Sequence, residues 1–170
     1  MTTQDERGFL ALGIGLPLWM AAFLCLGGCF FSYMHMVLSE KADLEVSQEI
    51  HTSMQMILAD AAEAQKVKTA GYGGKPMLRF YKAQPDFSGW RVVTYIRREQ
   101  EHRRTLYRGH TDALGFQPMT GDNLIGEVDI DAFDVERLPN GAVHFRLGGR
   151  SLRTGHRVEQ TAEFLLEEAP

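Results

Sequence analysis

The chain has 170 residues, 44% of them hydrophobic, with 18 basic against 22 acidic side chains and a formal net charge of -4. Both signs are scattered along it, so no basic stripe appears and direct nucleic-acid binding is not expected. Its two cysteines, Cys25 and Cys29, lie inside one apolar run, so the rest of the chain has no disulfide to indicate a redox compartment.

Residues 1–8 form a short polar tail, and residues 9–38 contain no Asp, Glu, Lys or Arg. As a helix rising 1.5 Å per residue, that run exceeds a hydrocarbon core about 30 Å thick, which predicts one transmembrane helix. Arg7 before it and Lys41 after it nearly balance the positive-inside count. A tail this short is easily left in the cytoplasm, so the expected topology is a single pass through the cytoplasmic membrane, N-terminus in and C-terminal domain outside. Two other readings compete. A cleaved secretory signal would have a basic start and a shorter core, whereas Asp5 and Glu6 outnumber Arg7. A lipoprotein signal would use Leu26-Gly27-Gly28-Cys29, but Phe30, Phe31, Tyr33 and Met34 continue the apolar run where a polar tether belongs.

Within the run, Ala11 with Gly15, and Ala21 with Cys25 and Cys29, recur every four residues as small-residue stripes on which another helix could pack closely. The same spacing is common in any membrane helix. The two thiols read as small packing residues rather than a metal or redox site. Pro17 removes a helical donor and predicts a kink or a local melt.

The helical pattern then turns amphipathic over residues 39–70. Leu38, Ala42, Val46, Ile50, Met54, Ile57, Leu58 and Ala61 recur at three- and four-residue steps, with Glu40, Lys41, Asp43 and Glu45 between them. Gly71, Gly73 and Gly74, followed by Pro76, read as the stop and a linker. Residues 71–170 form one β-rich domain, with strands predicted over 77–82, 90–97 and 103–108. Arg97, Arg98, Arg103 and Arg104 read as a solvated hairpin end. Residues 127–135 alternate acids with apolar residues and slip register near Ala132, which predicts a bulge. Pro139-Asn140-Gly141 turns into a strand over 142–147, and Thr154-Gly155 into one over 156–166. The expected fold is α+β, a long N-terminal helix packed on a C-terminal antiparallel sheet.

Gly8-Phe9 behind a charged leader, the continuous apolar helix, its amphipathic extension and the terminal sheet resemble the type IV pilin and pseudopilin superfamily. Within it, Ile57-Leu58-Ala59-Asp60, Val93-Thr94-Tyr95, Leu106-Tyr107-Arg108 and Gln117-Pro118-Met119-Thr120 are similar to minor pilins and pseudopilins of the PilW, GspJ and late-competence ComGF kind. The resemblance implies cleavage between Gly8 and Phe9 by a prepilin peptidase and methylation of the new amine on Phe9. It also implies other pilin-like subunits as partners in a pilus, a type II secretion pseudopilus or a competence apparatus. The chain departs from the family at Gly13, where a glutamate is usual. In the family that carboxylate pairs with a neighbour's terminal amine, so its loss implies either an initiating or tip subunit or a chain that is never cleaved.

Other chemistries fit the residues less well. Asp129 and Asp131 on one strand face, with Asp122 and His144, offer carboxylates and an imidazole for metal or acid–base work, but alternating acids on a strand usually form its solvated face. Gly71-Tyr72-Gly73-Gly74-Lys75-Pro76 has no Ser/Thr and no following helix, so it is not a phosphate loop. No catalytic activity, cofactor or metal is expected, and the runner-up function is a membrane-anchored β-domain acting as an adaptor.

Overall fold

The computed structural model describes residues 3–70, 76–84, 89–100, 102–111, 115–121, 125 and 127–169, with the side chains of 3–12, 14, 70 and 100 outside that description. The expected glycine linker at 71–75 and Asp122 lie outside the described residues. Helix α1 runs Thr3–Glu63 without interruption, through Pro17. The local melt foreseen at Pro17 therefore does not occur. The chain divides into two compact units, Met1–Glu40 and Lys41–Pro170.

In the first unit every residue from 16 to 36 is exposed, including Trp19, Phe23, Leu24 and Phe31. The apolar side chains of residues 16–36 are not part of the buried core.

The second unit begins with the remainder of α1. Ala42, Val46, Ile50, Met54, Ile57 and Ala61 are buried along one stripe, as the three- and four-residue spacing predicts. The helix ends at Glu63 rather than near residue 70, and Lys66–Ala70 is strand β1. No glycine or proline marks that end. The signal is instead Lys66-Val67-Lys68-Thr69, whose period of two brings Val67 to 0% exposure between two lysines.

Nine strands follow α1 among the described residues. After β1 come β2 (Pro76–Ala83), β3 (Trp90–Gln100), β4 (Arg103–His110), β5 (Phe116–Pro118) and β6 (Val128–Arg137), then β7 (Ala142–Ser151), β8 (Arg157–Leu165) and β9 (Glu167–Glu168). They form two sheets rather than one. Sheet A has the order β5-β4-β3-β2-β1-β9, and sheet B the order β6-β7-β8. Every ladder is antiparallel except β1·β9, which is parallel.

The amphipathic part of α1 supplies one wall of a shared core. Phe80, Tyr95 and Leu106 come from sheet A, and Ile130, Phe133, Phe145 and Leu147 from sheet B. Phe80 meets Tyr95 edge-on at 6.1 Å between ring centroids, and Phe133 meets Phe145 at 5.5 Å. A Cβ at Gly149 of β7 would stand 2.8 Å from Cδ1 of Ile50, so only glycine lets the helix lie this close to the strand.

The predicted bulge is present, the β6·β7 register shifting between Asp129 and Ala132. It admits one extra residue, so Ile130 and Phe133, three apart, both reach the core.

Candidate functional site

Two acids have been drawn into the second unit. Asp60 lies on the buried stripe of α1, three residues past Ile57, and is 5% exposed. Lys82 Nζ donates to its Oδ1 at 2.7 Å, Arg108 Nη2 donates to Oδ2 at 2.8 Å and Arg108 Nε to the same oxygen at 3.0 Å. The hydroxyl of Tyr95 completes the set by donating to Oδ2. Lys82, Tyr95 and Arg108 stand on three adjacent strands, so one carboxylate ties the last turns of the helix to the middle of sheet A.

The electrostatics follow from that enclosure. Burial alone would raise the pKa of Asp60, but the hydrogen bonds from Lys82, Tyr95 and Arg108 outweigh it and hold the carboxyl below its ordinary range. Tyr95 is pushed far above its usual value by burial and by donating to the carboxylate. Burial disfavours the charge on Arg108, yet the bond to Asp60 leaves the guanidinium more firmly protonated than usual. Asp60, Tyr95 and Arg108 thus each keep one protonation state near neutral pH. The cluster acts as a strut and does not present a group poised for proton transfer.

Asp129 is the second. Its place in the alternating run predicts a solvated position, but it is 2% exposed. Arg104 donates to it through its backbone N at 2.8 Å, Nε at 3.0 Å and Nη2 at 2.6 Å, and Arg150 Nε adds a bond of 3.2 Å. Burial again opposes ionisation and the bonds from Arg104 overcome it, so the carboxyl pKa is lowered. Because Arg104 belongs to β4 and Arg150 to β7, this acid joins the two sheets. The arginine cluster is likewise not a free hairpin end. Arg97 Nη1 donates to the carbonyl of Asp131, and Arg98 lies over Tyr107 and Phe116.

The acid–base grouping suggested by the sequence does not assemble. Asp129 pairs across the ladder with Arg150 and Glu136 with His144, so His144 sits six positions away, about 20 Å along the strand. His144 Nδ1 instead lies 3.1 Å from Oε1 of Glu163, and Asp131 pairs with Arg157 at 2.7 Å. Among the described residues no group of three or more His, Cys, Asp or Glu is placed to hold a metal.

The remaining sequence-derived residues are on the apolar half of α1. Gly8, Phe9 and Ala11 lie in the helix, with side chains outside the description. Gly15 is half-exposed, and Ala21, Cys25 and Cys29 are exposed, both cysteines being free thiols. Among the described residues, a Cβ at Gly13 or Gly15 would meet nothing within 4 Å. Among the described residues there is one helix long and apolar enough to cross a membrane.

Sequence reasoning missed the Asp60 cluster, although an acid on an otherwise apolar stripe was its visible sign. No family model matches the chain, and comparison with curated proteins and with solved structures gives no match. What stands is the shape, one long apolar N-terminal helix whose amphipathic end packs on β-sheet, as in a pilin-like fold.

Proposed function

We propose that the chain is a non-enzymatic, pilin-like structural subunit. In this reading residues 9–38 anchor it in the cytoplasmic membrane with the β-domain outside, and the same helix is the contact by which it joins other pilin-like subunits. The observation that carries the reading is the change of role within α1. Residues 16–36 are exposed and apolar, while residues 42–61 of the same unbroken helix form the wall of a β-domain core. A helix that only tethered a domain would need no such continuity. The prepilin-like Gly8-Phe9 junction, just ahead of the apolar run, supports the same reading and makes prepilin peptidase its processing partner. Gly13 then fits a subunit that starts assembly, since it offers the amine of Phe9 to a neighbour without needing one itself.

The chain should be co-expressed with a prepilin peptidase and its membrane form analysed by intact mass and N-terminal sequencing. Phe9 as first residue, with or without a methyl group, is the expected result. Met1 or Thr2 as the sole N-terminus removes the processing claim and favours the anchored adaptor. A lipid on Cys29 would assign the chain to the lipoproteins instead.

A further inference from the structure

In sheet A the core residues Val67, Leu78, Phe80, Val93, Tyr95 and Leu106 occupy one face, so their alternates occupy the other. That outer face is both cationic and aromatic. At one side Lys66 Nζ lies 5.8 Å from the centroid of Trp90, and Tyr81 meets Trp90 edge-on at 6.3 Å. At the other, the guanidinium of Arg98 lies 4.6 Å from the centroid of Phe116 and 5.4 Å from that of Tyr107. Between them Arg79 Nε donates to Thr94 Oγ1 at 3.3 Å.

A cleft of about 400 Å³ opens on this face, with Thr94 and Gly109 among its lining residues and Arg79 and Phe116 flanking them. A Cβ at Gly109 would stand 2.8 Å from the Phe116 ring, so glycine lets that ring lie down against the strand. Among the described residues the register places one acid on the face, Glu167, at the edge beside Lys66. Acids are gathered on sheet B, where Asp134 pairs with Arg146 and Glu163 with His144. The segregation is invisible in the net charge, because cross-strand pairing brings together cations that the sequence scatters.

We propose that the outer face of sheet A binds single-stranded nucleic acid, its phosphates against Lys66, Arg79 and Arg98 and its bases stacked on Trp90 and Phe116. Trp90 is 43% exposed and Phe116 37%, whereas the other described aromatic side chains of the second unit are buried or half-buried. A polyanion without rings would use the cations and leave these aromatics in water. A duplex keeps its base faces stacked inside, out of reach of a flat sheet. Unpaired bases satisfy both features, with each ring taking a base face and each cation a phosphate. The inference rests on the sheet alone and stands whether or not the anchor joins an assembly.

The test uses the full chain in detergent micelles and a fluorescein-labelled oligothymidine of about ten nucleotides, within the usual site size for such surfaces, read by anisotropy. The wild-type chain should bind it. The double variant Arg79→Glu/Arg98→Glu should bind at least about tenfold more weakly, with a salt dependence shallower by about 1.4, or about 0.7 for each phosphate no longer neutralised. Trp90→Ala should lose about tenfold in affinity at an unchanged salt slope, and Trp90→Phe should restore most of it. Arg98→Gln, at an exposed position, serves if the double variant melts early. No binding by the wild-type chain, or unchanged affinity in variants that keep its thermal transition, overturns the proposal. Equal or tighter binding of a duplex or of dextran sulfate overturns it too, leaving a general polyanion surface.

Discussion

The two halves of α1 have similar helical geometry and opposite fates. Between residues 16 and 36 the apolar side chains face outward all round, and none finds a partner inside the chain's core. Between residues 42 and 61 one stripe of apolar residues is buried, while Leu44, His51 and Met56 off the stripe and Lys41 just before it remain exposed. In the second half the apolar residues stabilise the chain's own fold. In the first they can be satisfied only by lipid or by another chain. That change near residue 40 divides the apolar residues that fold the second unit from those that do not.

Truncation should separate the two halves of the helix most strongly. A chain starting at Lys41 keeps the whole stripe and every strand, so it should be soluble and unfold in one cooperative transition. A chain starting at Gly74 loses the stripe and β1, exposing Phe80, Tyr95 and Phe145, and should fail to fold. Thermal unfolding followed by circular dichroism distinguishes the cases. Equal transitions in both fragments would mean that the helix contributes nothing to the core.

Next in size is the strut. Asp60→Ala leaves Lys82 and Arg108 close together without their shared counter-charge, and should cost about 3 kcal/mol in chemical denaturation of the fragment beginning at Lys41. The same carboxyl sets a pH limit. Its folded pKa lies below the unfolded value, so its stabilisation is present above about pH 4 and is lost as pH falls through the folded value. For Tyr95 the sign reverses. Its pKa is raised in the fold, so stability is full below about pH 10 and declines as pH rises beyond that, when the unfolded tyrosine ionises. In the Asp60→Ala fragment the acid-side loss should be smaller than in the parent, and equal slopes would count against the strut.

What was legible in the sequence was local. The stripe from Ala42 to Ala61, the bulge before Ala132 and the turn at Asn140-Gly141 each depend on residues a few positions apart. The turn indeed closes through Gly141 N to the carbonyl of Leu138 and Ala142 N to the side chain of Asn140. The end of the helix was missed because the nearest glycine, Gly71, drew the boundary past the alternation at Val67. Strands β5 and β9, of three and two residues, are too short to carry a period. The division into two sheets and the burial of Asp129 were out of reach for another reason. Alternation on one strand says which residues share a face, but Arg104, which closes over Asp129, arrives from a different sheet 25 residues away. Long-range ion pairs leave little trace in sequence beyond an acid or a base in an unexpected place.

The smallest expected effect is the most diagnostic, because it compares like with like on one helix. Ile57 and Leu24 are both aliphatic helix residues, the first 0% exposed and the second 74%. Ile57→Ala opens a cavity among Met54, Ala61 and the sheets and should cost about 2–5 kcal/mol of stability. Leu24→Ala trims an exposed side chain that belongs to no buried core cluster. Measured by denaturant or heat on the full chain in micelles, the β-domain transition should move by less than about 0.5 kcal/mol. Any consequence should appear in membrane retention or in crosslinking to other subunits. A shift of the β-domain transition by Leu24→Ala comparable to that of Ile57→Ala would show that the apolar half of the helix supports the fold. The division near residue 40 would then have to be abandoned.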